Sequence, residues 1–155
     1  MIDIRIADLS DPEQGEALVF LLNQYAQHPM GGGQALSAYT RHNLAATLQQ
    51  RSDCSVILAY DAERAVGLCN CFECFSTFSC KPILNIHDIY VEADYRGQGI
   101  ARQMMAYAEQ LARDNNCCKV TLEVLTNNHA AKTAYQAAGY APYQLDAEFG
   151  QAEFW

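Results

Sequence analysis

The chain predicts an α/β fold, and three observations predict it. Apolar segments with strand-like patterning alternate with segments of helical periodicity along the whole length, glycines and prolines punctuate the joints, and one apolar strand runs directly into a glycine-rich turn and an amphipathic helix. With 155 residues, 50% of them hydrophobic, there is material for one sizeable core and too little for two ordinary domains, so a single domain over residues 1–155 is expected.

The elements follow in order. Ile2 to Ala7 alternates like a strand, and Asp11-Pro12 opens a helix with Leu18, Leu21, Leu22 and Tyr25 along one face, a core stripe before it is a binding surface. Pro29 and Gly31-Gly32-Gly33 break that pattern. No strand precedes the triplet and no Gly-Lys-Ser/Thr follows it, so it reads as a mobile loop beside a substrate entrance rather than a phosphate loop. Ser37 caps a second helix carrying Leu44 and Leu48. Cys54 to Tyr60 and Ala65 to about Phe75 form a hairpin across the polar turn Asp61-Ala62-Glu63-Arg64. After Lys81-Pro82, a third apolar strand spans Ile83 to Val91, interrupted by His87-Asp88. A helix from about Gly99 to Arg113 brings Ile100, Met104, Tyr107, Ala108 and Leu111 to one side, with a polar opposite face. Lys119 to Leu125 reads as a buried strand, Asn127 or Asn128 caps a short alanine-rich helix, and Gly139 ends it before an extended run from Tyr140 to Tyr143.

Composition narrows the function. Eighteen acidic against ten basic residues give a formal charge of -8, which disfavours nucleic-acid and anionic-membrane binding and suits cationic small substrates. The N-terminal residues lack the basic segment and apolar run of a signal peptide, and no stretch is long and apolar enough to cross a bilayer, so a cytoplasmic location is expected. Seven cysteines, an odd number, read as reduced thiols, most of them small core hydrophobes. Cys69, Cys71, Cys74 and Cys80 contain one Cys-x-x-Cys, but no second pair or nearby histidine completes a tetrahedral set, and no metal is expected. Cys117-Cys118 leads into a strand, where neighbouring side chains face opposite ways, so packing is expected rather than a vicinal disulfide.

The most informative stretch is Tyr95-Arg96-Gly97-Gln98-Gly99-Ile100-Ala101, between the third apolar strand and the amphipathic helix. Glycines let the backbone approach an anion, and the unpaired amides of a first helical turn, with the positive end of the helix dipole, point at its oxygens. The layout is that of a pyrophosphate cradle. Gly97 and Gly99 read alone also serve a plain strand-to-helix turn.

With Ile89-Tyr90-Val91 before it, Arg96-x-x-Gly99-x-Ala101 resembles the coenzyme loop of the GNAT superfamily of acetyl-CoA-dependent N-acetyltransferases. Downstream, Asn128, Tyr135 and Gly139 resemble that family's Asn…Tyr…Gly segment, and the order of elements matches over nearly the whole chain. The resemblance implies a mixed sheet of about six or seven strands, splayed between the fourth and fifth, with helices on both faces. It further implies that the backbone of Ile89, Tyr90 and Val91 pairs with pantetheine in the splay. The pyrophosphate would rest on the amides of Gly97, Gln98, Gly99, Ile100 and Ala101, with Arg96 and Arg102 adding positive charge and Asn128 among the coenzyme-binding residues. Homodimers are common in the family, and Phe149, Phe154 and Trp155 are candidates for an interface or for the last strand.

Amine acetylation needs two proton events. An alkyl amine with a pKa near 10.4 is neutral in only about one molecule in two thousand at pH 7, roughly 4.6 kcal/mol of unavailability, so a base or water chain matters. His87 and Asp88 stand in the right strand. A regular strand would offer only one of them to the site, because neighbours point to opposite faces unless a bulge intervenes. The alternative makes His87 a hydrogen-bonded core histidine and Asp88 a structural acceptor. Tyr135, protonated at neutral pH, matches the family's tyrosine and would protonate the departing thiolate; in isolation it also reads as a core aromatic.

Within the superfamily the chain resembles the diamine and polyamine acetyltransferases. Phe75-Ser76-Thr77-Phe78, Ile86-His87-Asp88-Ile89-Tyr90-Val91 and Tyr95-Arg96-Gly97 carry the likeness. That branch has Glu where this chain has His87, which keeps a titratable base and removes a negative charge facing an ammonium group. Asp146, Glu148 and Glu153 are further candidates for acidity around the acceptor. The expected function is acetyl transfer from acetyl-CoA to a small cationic primary amine by direct attack in a ternary complex. Protein N-termini or lysines as acceptors, and an acetyl-CoA-binding regulatory module without turnover, are the alternatives.

Overall fold

The computed structural model describes residues 1–146 and 150–151, which fall in two units, Met1–Glu123 and Val124–Trp155. In the first unit β1 (Ile2–Ile6), β2 (Cys54–Asp61), β3 (Arg64–Ser76), β4 (Lys81–Val91) and β5 (Lys119–Leu122) form one sheet in that order. The first four pair antiparallel and β5 joins β4 in parallel, so the sheet is mixed.

Helix α1 (Pro12–Gln27) starts where Asp11 accepts the Glu13 amide, and α2 (Ala38–Gln49) where Ser37 accepts the Thr40 amide. Both caps satisfy a helical N–H that has no partner inside its own helix. Leu18 and Leu21 of α1 and Leu48 of α2 join Val56, Leu58, Tyr60 and Leu68 in one buried cluster. The other face of the sheet carries α3 (Ile100–Asp114), whose Met104 lies so close to Gly67 that an added Cβ there would meet its Sδ at 3.2 Å. The run Val56–Tyr60 is therefore buried on both faces, which is why it reads as continuous apolar sequence rather than an alternation.

The second unit holds α4 (His129–Ala137), β6 (Gln144–Asp146) and β7 (Gly150–Gln151), the two strands pairing antiparallel. Asn128 caps α4 by accepting the Ala131 amide at 3.2 Å, and Gly139, at φ 94°, turns the chain out of it. The expected α/β fold with a mixed sheet is present, but that sheet has five strands and not the expected six or seven, because β6 and β7 pair with each other in a separate two-stranded sheet.

Four expectations change. The strand at Lys119 stops at Leu122 instead of Leu125, and its residues are half-buried or exposed. Tyr140 to Tyr143 is not strand, and pairing begins at Gln144. Ladder pairs Asp61–Arg64 and Tyr60–Ala65 shorten the predicted four-residue turn to Ala62-Glu63, with Ala62 at φ 53°. Of the seven free cysteines only Cys69 and Cys71 are buried; Cys74, Cys80 and Cys118 are exposed because they lie near or beyond the ends of strands rather than under a helix. Glu148, Phe149, Glu153, Phe154 and Trp155 lie outside the described residues.

Candidate active site

The geometry starts with an extra residue in β4. Asn70 pairs with Asp88 and Cys71 with Ile86, so His87 is skipped and forms a bulge. Asn70 and Phe72, two apart on β3, face the same side. The His87 ring meets the Phe72 ring edge-on at 5.6 Å, and Asp88 Oδ2 accepts from Asn70 Nδ2 at 3.0 Å. Both His87 and Asp88 therefore lie on that side, where a regular strand would have sent one of them away. It is the side covered by α1, since Phe72 packs against the Leu18–Leu21–Leu48 cluster. His87 is exposed, which removes the reading of a core histidine, while Asp88 is half-buried.

Tyr25 of α1 stands at the same place. Its ring lies 5.9 Å from that of Tyr90, and burial, followed by the charge of Asp88, pushes its phenol above the ordinary tyrosine range. Beside it the glycine triplet is folded tightly. Gly31 donates to the His28 carbonyl at 2.8 Å, Gln34 to the Ala26 carbonyl at 3.0 Å, and a Cβ on Gly31 would lie 2.0 Å from the Tyr25 carbonyl oxygen. The segment is thereby locked onto the end of α1.

An open strand edge begins where β4 loses its parallel neighbour. Pairing with β5 ends at Ile86 and Leu122. The Glu92 amide donates to the Val66 carbonyl at 3.0 Å, and alternate residues of an antiparallel strand turn their amides to opposite edges. The backbone groups of Ile89 and Val91 therefore face the edge that no strand of the five-stranded sheet covers beyond Ile86.

Beyond β4 a short 3-10 turn, Ala93–Tyr95, leads to the loop. It is pinned to the β2–β3 turn, because Tyr95 Oη donates to Asp61 Oδ2 at 3.2 Å and Arg64 pairs with the buried Glu92. Gly97 and Gly99 sit at φ 76° and 77°, a left-handed conformation that favours glycine, and a Cβ on either would meet nothing within 4 Å. Gly99 is the N-cap of α3 and supplies no capping side chain; Gln103 is the first residue to donate within the helix, to the Gly99 carbonyl. Hence the amides of Ile100, Ala101 and Arg102 have no acceptor inside the helix. An open space above uncapped amides at the positive end of a 15-residue helix fits a pyrophosphate.

Arg96 is anchored on β4. Its Nε donates to the Val91 carbonyl at 3.0 Å and its guanidinium lies 5.6 Å from the Tyr90 ring centre, so it folds back along β4. Arg102 is exposed on the first turn of α3. In the second unit, Tyr135 is half-buried on α4, and Asn128 holds that helix by its cap.

Asn70, which belongs to no sequence motif, also stands here. It is 3% exposed, and its Oδ1 is buried with no hydrogen-bond partner among the described residues, which costs about 1–3 kcal/mol. The available signal was a carboxamide inside the apolar run Val66 to Phe72. Among the described residues no group of three or more His, Cys, Asp or Glu is arranged to hold a metal.

An open approach to the uncapped amides of a helix start, next to an uncovered strand edge, defines an α/β domain suited to a phosphorylated ligand with an extended arm. Residues 17–140 match the model of the acetyltransferase (GNAT) family, and the chain belongs to that family of acetyltransferases. It is 37% identical over 65 residues to thialysine N-epsilon-acetyltransferase of Bos taurus, a match covering 42% of this chain and only 38% of that enzyme. It is 32% identical over 103 residues to an uncharacterized N-acetyltransferase of Archaeoglobus fulgidus, covering 63% of this chain and 70% of that one. Among solved structures, a probable acetyltransferase at 23% identity superposes with a TM-score of 0.83, covering 98% of this chain and 96% of that chain. Among the described residues no helix is long and apolar enough to cross a membrane.

Proposed function

We propose that this protein transfers the acetyl group of acetyl-CoA to a small cationic primary amine by direct attack in a ternary complex. The observation that carries the reading is the β4 bulge, which brings His87 and Asp88 to one side of the strand, two residues before the edge that Ile89 and Val91 leave open. In this reading the open edge holds the pantetheine arm and the Gly97–Ala101 turn its pyrophosphate. Asp88, close enough to Tyr25 for its charge to be felt there and two residues before Tyr90 on β4, attracts the acceptor's ammonium group, and the chain's charge of -8 favours a cation over an anion.

His87 or Asp88, directly or through water, takes the proton that makes the amine a nucleophile. The nitrogen lone pair then forms the N–C bond at the thioester carbonyl. As the tetrahedral intermediate collapses, the C–S bond breaks and the sulfur leaves with the bonding pair, receiving its proton from Tyr135, while the nitrogen, positively charged after its attack, gives up its second proton through water and so restores the phenol of Tyr135. No cysteine is needed as an acyl carrier. The match to the thialysine enzyme supports an amine at the end of a short chain as acceptor. We further propose one catalytic domain over 1–155, a homodimer and a cytoplasmic location; sedimentation velocity tests the dimer, and a single species at 17.2 kDa would overturn it.

The test of function is a thiol-release assay with acetyl-CoA and a panel of diamines, amino acids, aminoglycosides and lysine peptides. Free coenzyme A is expected with small cationic amines. Binding of acetyl-CoA without acceptor-dependent release from any of them would identify a regulatory module instead.

A further inference from the structure

We propose that Asn70 is a positioning residue for the acceptor amine, acting by holding the carboxylate of Asp88. The inference rests on the reading of Asp88 as the ammonium-binding group and adds to it a residue from a different strand.

The argument is one of burial and valence. Asn70 and Glu92 are the buried polar residues among those described, and Glu92 is explained by its ion pair with Arg64. Asn70 has no such complete account. It stands opposite Val56 in the β2 ladder and one place along the same face from Leu68 in β3, both members of the apolar cluster under α1. An aliphatic side chain would suit this position better than an amide whose Oδ1 is left without a partner. What the amide does is donate to Asp88 Oδ2 at 3.0 Å.

That single bond has a directional consequence. A free aspartate can rotate about two side-chain torsions. With Oδ2 tied to a buried donor from the neighbouring strand, the carboxylate is restricted to one orientation, and Oδ1 remains for the incoming ammonium group, since the described residues place no hydrogen bond on it. The bulge at His87 is what brings Asp88 to the side on which Asn70 lies, so the bulge and the buried amide form one device. Tyr25 packs on Tyr90 at a ring-to-ring distance of 5.9 Å and is close enough to Asp88 to feel its charge.

The test is Asn70→Leu, which keeps the branching at Cγ and removes the donor, with Asp88→Asn and the double variant to close a cycle. Asn70→Leu is expected to lower kcat/KM for the amine by about tenfold through loss of orientation, while the dissociation constant of acetyl-CoA stays within about twofold. The melting temperature is expected to hold or rise, because an orphaned acceptor is removed. In the Asp88→Asn background the same change is expected to cost less than about twofold, since Asn70 acts through the carboxylate. Asn70→Val, read in the same way, serves if leucine does not fit.

A variant with unchanged kcat/KM, or equal losses with and without the Asp88 carboxylate, would overturn the proposal while leaving the acetyltransferase reading in place. Failure of both Asn70 variants to fold would make the residue a structural one and overturn it as well. No coenzyme A release by the wild type with any amine would remove the acetyltransferase reading, and the proposal with it.

Discussion

Substituting Gly99 separates two roles that one glycine plays. At φ 77° and ψ 11° it sits in the left-handed region, and an added Cβ there meets nothing within 4 Å. Gly99→Ala therefore meets no steric clash within the protein and is charged only for backbone conformation, about 1–2 kcal/mol. For a domain of this size that is a fall in Tm of roughly 2–8 °C. Asparagine tolerates the left-handed region far better than alanine, so Gly99→Asn should retain most of the stability while carrying a Cβ and more. If the loop is the pyrophosphate cradle, both variants obstruct the approach of the anion to the amides of Ile100 and Ala101. Loss of one charge-assisted hydrogen bond is worth about 1.5–3 kcal/mol, hence at least about tenfold in acetyl-CoA affinity. The assay is thermal unfolding with and without acetyl-CoA, alongside calorimetric titration. At a coenzyme concentration one hundred times the wild-type dissociation constant, wild type gains about 2.7 kcal/mol and a tenfold weaker variant about 1.4 kcal/mol. A Gly99→Asn protein that binds acetyl-CoA as tightly as wild type would refute the assignment of the cradle.

Three further outcomes are expected. Tyr135→Phe should lower kcat well beyond any change in acetyl-CoA affinity, as measured by steady-state kinetics and titration, and an unchanged kcat would remove Tyr135 from the mechanism. Gly31→Ala drives a methyl group to 2.0 Å from the Tyr25 carbonyl oxygen, a backbone atom that cannot step aside, so a loss of about 1–3 kcal/mol is expected in urea unfolding, together with a raised KM for the amine; an unchanged midpoint would contradict the packing. Tyr25 supplies a pH test. Its raised phenol keeps a proton that the unfolded chain loses at about pH 10, so its contribution to stability is full below that pH and declines as pH rises through its folded value. Tyr25→Phe should accordingly show a shallower fall in stability between about pH 9 and 11, and parallel slopes for the two proteins would refute the shift.

What could be read from the sequence was what local chemistry dictates. Asp11-Pro12 opens α1, Ser37 caps α2, and of the two candidates Asn127 and Asn128 it is Asn128 that caps α4, because each cap is a bond between a side chain and an amide two or three residues on. Gly97, Gly99 and Gly139 have the positive φ that their turns require. The exposure of the cysteines was not legible, since it depends on which strand ends a helix covers. Nor was the fold-back of Arg96: its charge suggested a phosphate, but the Val91 carbonyl five residues earlier lies within reach of its guanidinium.

By itself, then, the sequence determined the order of elements, the helix starts and the glycine turn before α3, and with them the family and its acyl donor. The tertiary structure decided which polar residues stand together on the α1 side of the sheet. His87 and Asp88 share a face only because β4 pairs with β3 in a register that leaves one residue over, and Asn70 reaches Asp88 only across that ladder, 18 residues away in the chain. Register is a property of two strands held by a common core, and no stretch of either strand contains it.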